Sequence, residues 1–169
     1  PSTSSAASDV YKRQVLINMF NGIIFNQGKI SKIVKRDKGI NIFIKSSIKV
    51  NNKNLGISVA CDGVCLTLIS YKNKTLEFYL SNETIMKSKF KNIKLGSIIN
   101  LELPLKYKQN ISGHICQGHV DTVSKIISIR KIDKSKIYEF KIESKLKKFL
   151  VEKASILTVS YTHLRAHET

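Results

Sequence analysis

Five short apolar runs, Ile40–Ile44, Gly56–Ala60, Val64–Ile69, Thr75–Leu80 and Ser97–Leu103, follow one another with turn-type residues between them. Runs of this length, alternating or continuous, carry the strand period of two, in which successive side chains take opposite faces. An amphipathic helix needs an apolar stripe at a period of 3.6, and that pattern is hard to find in this chain. Asn51–Asn54 and Tyr71–Lys74 are rich in turn formers. Asn82–Phe90, opening behind a Ser or Asn cap, predicts one short helix. Between residues 15 and 158 the only proline is Pro104. Strands at intervals of about ten residues predict an all-β chain that folds as a closed or nearly closed antiparallel barrel. Ile42, Ile44, Val64, Leu66 and Leu68 are expected to divide by parity between core and outside.

The pattern then restarts. A shift of 96 places Gly22 on Gly118, Lys29 on Lys125, Ile30 on Ile126 and Ile33 on Ile129, with Ile42 on Tyr138 and Ile44 on Phe140. A shift of 97 places Gly56 on Lys153, Ser58 on Ser155 and Val59 on Ile156. The expected organisation is tandem barrels, 19–105 and an incomplete second copy at 113–158, joined by a linker at 106–112. The second copy stops short of a counterpart to Asp62–Thr67.

The ends are expected to be foreign to this unit. Asp9–Gln14 can be encoded by a DNA segment whose reverse complement, one frame over, encodes Val159–His163. Ser4–Gln14 and Val159–Thr169 also resemble translations of the two transposon adapters used in sequencing libraries. Segment 1–18 is therefore read as a non-native, mostly adapter-like leader and 159–169 as an adapter-like tail, with 1–14 and 159–169 packing against nothing. His163 and His167 drop out as candidate ligands.

Composition excludes several classes of protein. Hydrophobic residues make up 42% of the 169, enough for a core, so wholesale disorder is excluded. No apolar run approaches the length of a membrane span. Three cysteines with no export signal point to a reducing cytoplasm and free thiols. The net charge of +17 would suit nucleic acid, but only four of the 29 basic residues are arginine, the residue favoured at such sites. Lysine is enriched together with Ile and Asn, all with AT-rich codons, so the lysines are read as a solvated face. No nucleic-acid or membrane partner is expected. His114, Cys116 and His119 lack the paired spacing of a zinc site, and no metal is expected there.

Six segments in order carry a family resemblance. Met19–Ile23 (MFNGI), Ser58–Thr67 (SVACDGVCLT), Glu83-Thr84, Gly96–Glu102 (GSIINLE), Gly113–Asp121 (GHICQGHVD) and Lys153–Ile156 (KASI) are together similar to the riboflavin synthase alpha-chain family. The resemblance covers Met19 to about Leu157 and implies tandem lumazine-binding barrels, six-stranded, antiparallel and Greek-key, with 19–105 closing as the first and the second incomplete. It implies a dismutation in which two molecules of 6,7-dimethyl-8-ribityllumazine exchange a four-carbon unit. The products are riboflavin and 5-amino-6-ribitylaminouracil, and no metal or redox cofactor is needed. It also implies a homotrimer with two lumazines per active site, where the first barrel of one subunit meets the second of another.

The same resemblance implies the site residues. Gly22, Ile23 and Ile24 would meet the ring through backbone groups, with Asn21 in place of the family's Thr. Cys65, Leu66 and Thr67 would line the ring pocket, and Ser58 would hold a nucleophilic water; Cys65 could equally be a buried thiol in a core strand. Tyr79, Leu80, Ser81, Asn82, Glu83 and Thr84 would cradle the ribityl chain, although Asn82–Thr84 also suits a helix N-terminus. The family often has an acid near Tyr79 or Leu80, absent here. Gly118, His119 and Val120 would bind the second lumazine, and Lys153 would stabilise negative charge in that pocket. Ser58, Cys65 and His119 are the catalytic candidates. Ala154 replaces a family glycine, at a cost of about 1 kcal/mol if that position needs positive φ.

Overall fold

The computed structural model describes residues 19–106, 110–111, 113–158 and 161–165. Six strands, β1 (Asn26–Arg36), β2 (Gly39–Ser46), β3 (Ser58–Cys61), β4 (Val64–Lys72), β5 (Thr75–Ser81) and β6 (Ile98–Glu102), close as an antiparallel barrel in the order β1-β2-β5-β4-β3-β6. Each of the five apolar runs supplies one strand. The sixth, β1, escapes sequence reading because lysines at 29, 32 and 35 break up its apolar positions. Two tight hairpins set the register. Asp62-Gly63 (φ 47° and 80°) and Asn73-Lys74 (φ 51° and 59°) put two consecutive residues in the left-handed region, the geometry that matches strand twist. The expected turn at Tyr71–Lys74 therefore narrows to its last two residues, and β4 runs through Lys72.

The parity expectation needs correcting. Ile42, Ile44, Val64, Leu66 and Leu68 all face inward, because within each strand they are two residues apart. They join Ile30, Leu76, Phe78, Leu80, Ile99 and Leu101 in one core. The outward parity of β4 belongs to Cys65, Thr67 and Ile69, all partly or largely exposed. The expected short helix is α1 (Asn82–Lys87), with Ser81 as N-cap accepting from Thr84 N at 3.1 Å. A 3-10 turn at Lys89–Asn92 then buries Phe90 in the core. Asp62 ties this turn to the barrel. Its Oδ1 accepts from Asn100 N at 2.8 Å, and its Oδ2 pairs with Lys89 Nζ.

The second repeat is visible in its register. Strands β7 (Lys125–Ile132) and β8 (Ser135–Lys141) pair Lys125 with Lys141, as Lys29 pairs with Lys45 in the first copy. The bulge between Ile30 and Lys32 recurs between Ile126 and Ser128, again 96 residues on. After α2 (Ser144–Lys147), β9 (Ser155–Thr158) takes the place of β3 at the shift of 97. Gly56 (φ 85°) and its counterpart Lys153 (φ 64°) are both left-handed. The strained position is thus Lys153, and the cost anticipated at Ala154 does not arise there.

The second copy is not closed. Sheets β7–β8 and β9–β10 (β10, Tyr161–Arg165) each have two strands. Ile126 and Ile129 are more than half exposed, whereas Ile30 is 2% exposed. One expectation about the tail fails: Tyr161–Arg165 pairs with β9. Thr158 opposite Tyr161 repeats the pairing of Cys61 with Val64, before the register slips between Tyr161 and Leu164. An open strand edge accepts an adjacent extended segment of almost any sequence. The remaining leader and tail, 1–18, 159–160 and 166–169, lie outside the described residues, as do 107–109 and 112 of the linker.

Candidate functional site

Three adjacent strands present one row of side chains on the outside of the barrel. Ala60 of β3 sits opposite both Cys65 of β4 and Glu102 of β6, and Ser58 sits opposite Thr67. Cross-strand partners share a face. Cys65 and Thr67 project outward, so Ser58, Ala60 and Glu102 lie on the same outer surface. Two segments cover part of it. Phe20 and Cys116 exchange backbone hydrogen bonds, Phe20 N to Cys116 O at 2.8 Å and Cys116 N to Phe20 O at 3.0 Å. These two residues are 96 apart, the repeat shift, so the openings of both copies pair antiparallel with each other.

Each opening is pinned to the row. Gly118 O accepts from Cys65 N at 2.8 Å, and Gly118 (φ 73°) packs so close that a Cβ there would lie 2.9 Å from Cys65 Cβ. On the other side the Glu102 carboxylate, 7% exposed, accepts from Asn21 N at 2.6 Å and Gly22 N at 3.1 Å. The Ile23 amide also points at it. Burial pushes the Glu102 pKa up, and the three amides pull against that rise. Asn21 Oδ1 is buried with no hydrogen-bond partner among the described residues, an acceptor suited to a ligand or water donor.

The expected site residues divide on this map. Ser58, Cys65 and Thr67 come together on the outer face. Gly118, His119 and Val120 join them, with His119 exposed and Val120 packed on the core cluster. The opening of the second repeat thus lies on the first barrel, and Lys153 sits in the turn before β9. Gly22, Ile23 and Ile24 flank the row through Glu102. Leu66 and Leu80 point into the core, leaving only their main chain for an external ligand. Tyr79 is outward on β5, its hydroxyl donating to Lys38 O at 2.8 Å. Ser81 and Thr84 meet each other at 3.0 Å in the α1 cap, and Glu83 pairs with Lys87 at 2.6 Å, which holds its carboxyl below the usual range. Asn82–Thr84 is a helix start, a reading compatible with the ribityl-binding one.

Glu102 was not singled out from sequence. The available signal was an acid next to Leu101 and Leu103 in an apolar strand. A cavity of about 390 Å³ lies elsewhere, lined by Gln27, Lys29, Lys45 and Lys74 among others, and no candidate residue reaches it. Among the described residues no group of three His, Cys, Asp or Glu side chains is placed to hold a metal ion. The three thiols are free. Burial and the nearby Glu102 charge push Cys116 up to about 11. Its Sγ–H donates to Phe20 O at 3.1 Å, which also favours the neutral thiol. Alkylation of Cys116 in the folded chain should therefore show a midpoint near pH 11, well above the roughly 8.5 of a free thiol. A midpoint near the free-thiol value, read by mass spectrometry of iodoacetamide adducts, would show that Phe20 and Glu102 do not enclose it.

The closed six-stranded antiparallel barrel defines a small β-barrel domain that carries this row on its outer face. Residues 21–104 match the family model of the lumazine binding domain, and the barrel belongs to that family. Over most of its length the chain is similar to riboflavin synthases. It is 32% identical over 138 residues to the riboflavin synthase of Actinobacillus pleuropneumoniae, covering 82% of this chain and 64% of that protein. To the riboflavin synthase of Bacillus subtilis it is 31% identical over 138 residues, with the same coverage. To that of Saccharomyces cerevisiae it is 32% identical over 146 residues, covering 82% of this chain and 61% of that one. The chain thus spans less than two thirds of the length of these relatives. Its fold is similar to that of LumP. The crystal structure of LumP complexed with riboflavin superposes with a TM-score of 0.70 at 20% identity, covering 85% of this chain and 78% of that one. The complex of LumP with 6,7-dimethyl-8-(1'-D-ribityl) lumazine gives 0.66 at 21%, covering 85% and 77%.

Proposed function

We propose that the protein to which this chain belongs is a riboflavin synthase, and that its first barrel binds one molecule of 6,7-dimethyl-8-ribityllumazine on the row described above. One observation carries this: Gly118 docks on Cys65, which brings the motif segments of both repeats, far apart in sequence, onto one face. The flat ring lies against Cys65 and Thr67, with the Gly118–Val120 main chain as a wall. The ribityl chain runs toward Tyr79 and the cap of α1. Ser58, opposite Thr67, holds a water, and the exposed His119 moves a proton. The reaction transfers a four-carbon unit from one lumazine to another, so donor and acceptor are the same compound and no external oxidant enters. Positioning two rings against each other supplies most of the rate. The working enzyme is a cytoplasmic homotrimer with two lumazines per site, and Lys153 serves the second pocket. Among the described residues no helix is long and apolar enough to cross a membrane.

A binding-only role is the second reading, favoured by the single closed barrel among the described residues and by the fold shared with LumP. Two measurements separate them. Lumazine fluorescence reports binding, and the absorbance of riboflavin reports turnover when a full-length protein of this sequence is assayed. Replacing Thr67 by Val should weaken lumazine binding by about 1–3 kcal/mol, roughly 5- to 150-fold, because a ring polar group loses its hydroxyl partner. Replacing the exposed Lys72 and Lys74 by Gln should leave binding unchanged. If instead oligonucleotides bound with a steep, lysine-dependent salt slope, the charge would have a nucleic-acid role after all.

A further inference from the structure

We infer that Glu102 is a positioning residue for the site on the first barrel: its buried carboxylate aligns the opening segments of both repeats and so sets the wall beside Cys65. The inference rests on the lumazine-binding role proposed above and extends it to a residue that touches no ligand. Three links carry it. First, three consecutive amides, those of Asn21, Gly22 and Ile23, converge on one carboxylate, with Gly22 N within 3.1 Å of both of its oxygens. Consecutive N–H groups aimed at one anion form a concave nest, and charge-assisted bonds of this kind are about twice as strong as neutral ones. Gly22 (φ 70°) supplies the left-handed residue that turns its neighbours' amides inward.

Second, the segment held in this way is paired with the second repeat. Phe20, one residue before the nest, exchanges both backbone hydrogen bonds with Cys116, and the Cys116 thiol also donates to Phe20 O. The contact is tight. A Cβ at Gly113 would lie 2.4 Å from Asn21 O, so the two openings fit only with glycine there. Third, two residues after Cys116, Gly118 O takes the Cys65 amide. Cys65 is opposite Ala60, and Ala60 is opposite Glu102. The links therefore form a loop that starts and ends on the same row of the barrel. Backbone hydrogen bonds tie segment 113–120 to the barrel side at Phe20 and at Cys65. Loss of the anion leaves three amides without their acceptor. The segment they anchor can then shift, and the Gly118 wall shifts with it.

Glu102→Gln keeps the size and one acceptor oxygen but turns an amide –NH₂ toward the backbone N–H groups. In the full chain this variant should bind lumazine at least tenfold more weakly by fluorescence titration. Amide hydrogen exchange should accelerate at Asn21, Gly22, Ile23, Cys116 and Cys65, while the β2–β5 ladder keeps its protection. A merely structural role would instead raise exchange across the whole barrel, and that pattern overturns the inference. So does unchanged protection of Cys65, or unchanged affinity. If Glu102→Gln fails to fold, the wild-type chain decides. Asn21, Gly22 and Ile23 lie outside any strand, so their amides should be protected to the level of the β2–β5 ladder only if the carboxylate holds them, and rapid exchange there overturns the inference. Failure of wild-type protein to bind lumazine at all would remove the proposed ligand. The exchange pattern would still show whether Glu102 controls the Cys65 wall.

Discussion

The 169-residue chain should bind one lumazine and form riboflavin at less than about one-hundredth of the rate of a full-length riboflavin synthase, since fixing two reactants together is worth on the order of 10⁵ M or more in effective concentration. Dismutation needs two rings face to face, hence two complete pockets presented to each other. Among the described residues one barrel closes, whereas the second repeat forms two separate two-stranded sheets. Ile126, Ile129 and Ile137 are largely exposed there, at places where the first copy buries its counterparts or packs them against the core. Two copies of the chain paired about a two-fold axis would bring two first-type pockets together, yet that pair lacks the contribution of Lys153. The apolar face and open edges of the hairpins also invite aggregation. The check is to express the chain, titrate it with lumazine by fluorescence, and follow riboflavin beside the Bacillus subtilis relative. Near-equal turnover would show that a closed second pocket is dispensable, and the two-pocket account would have to go.

The barrel was legible in the sequence because its signals are local. Alternation in β2, β4 and β5, and Asp-Gly at a two-residue hairpin, specify strands and turns without reference to the rest of the chain. Strand β1 was not, since its outward positions carry lysines and its inward face includes Gly28, where a Cβ would come within 2.3 Å of Ile44 Cγ2. A glycine that makes room for a neighbour looks like a break in the strand pattern. The repeat was legible as weak identity, but its strongest evidence, the bulge recurring 96 residues on, is a property of pairing. The site was half legible. Cys65, Thr67 and Ser58 share a motif and a face. The placement of Gly118–Val120 on the first barrel was not readable, because by sequence these residues open the second. Glu102 stayed hidden for a similar reason: its partners are main-chain amides, and backbone groups leave no mark in composition.

Gly118→Ala should be the most damaging single change at the site, and a comparison with Gly56→Ala isolates why. Both glycines are left-handed, at φ 73° and 85°, so alanine costs about 1–2 kcal/mol of backbone strain at each. At Gly56 nothing lies within 4 Å of the added Cβ, and strain is the whole effect. At Gly118 the Cβ would meet Cys65 Cβ at 2.9 Å, Cys65 N at 3.0 Å and Gly63 O at 3.2 Å. Two of these three are backbone atoms of β4 and its hairpin, which cannot yield without disturbing the barrel. The segment must lift instead, and the Cys65 N–H loses its acceptor at a further cost of about 1–3 kcal/mol. Together the docking of 113–120 is weakened by about 2–5 kcal/mol, enough to undock it for much of the time. Lumazine affinity should then fall by about 30-fold or more in Gly118→Ala and stay within about twofold of wild type in Gly56→Ala, with the closed barrel folded in each variant by circular dichroism. Equal losses in the two variants would mean that strain alone is at work and that the Gly118 wall is not part of the pocket. An unchanged affinity in Gly118→Ala would place the ligand away from Cys65 altogether.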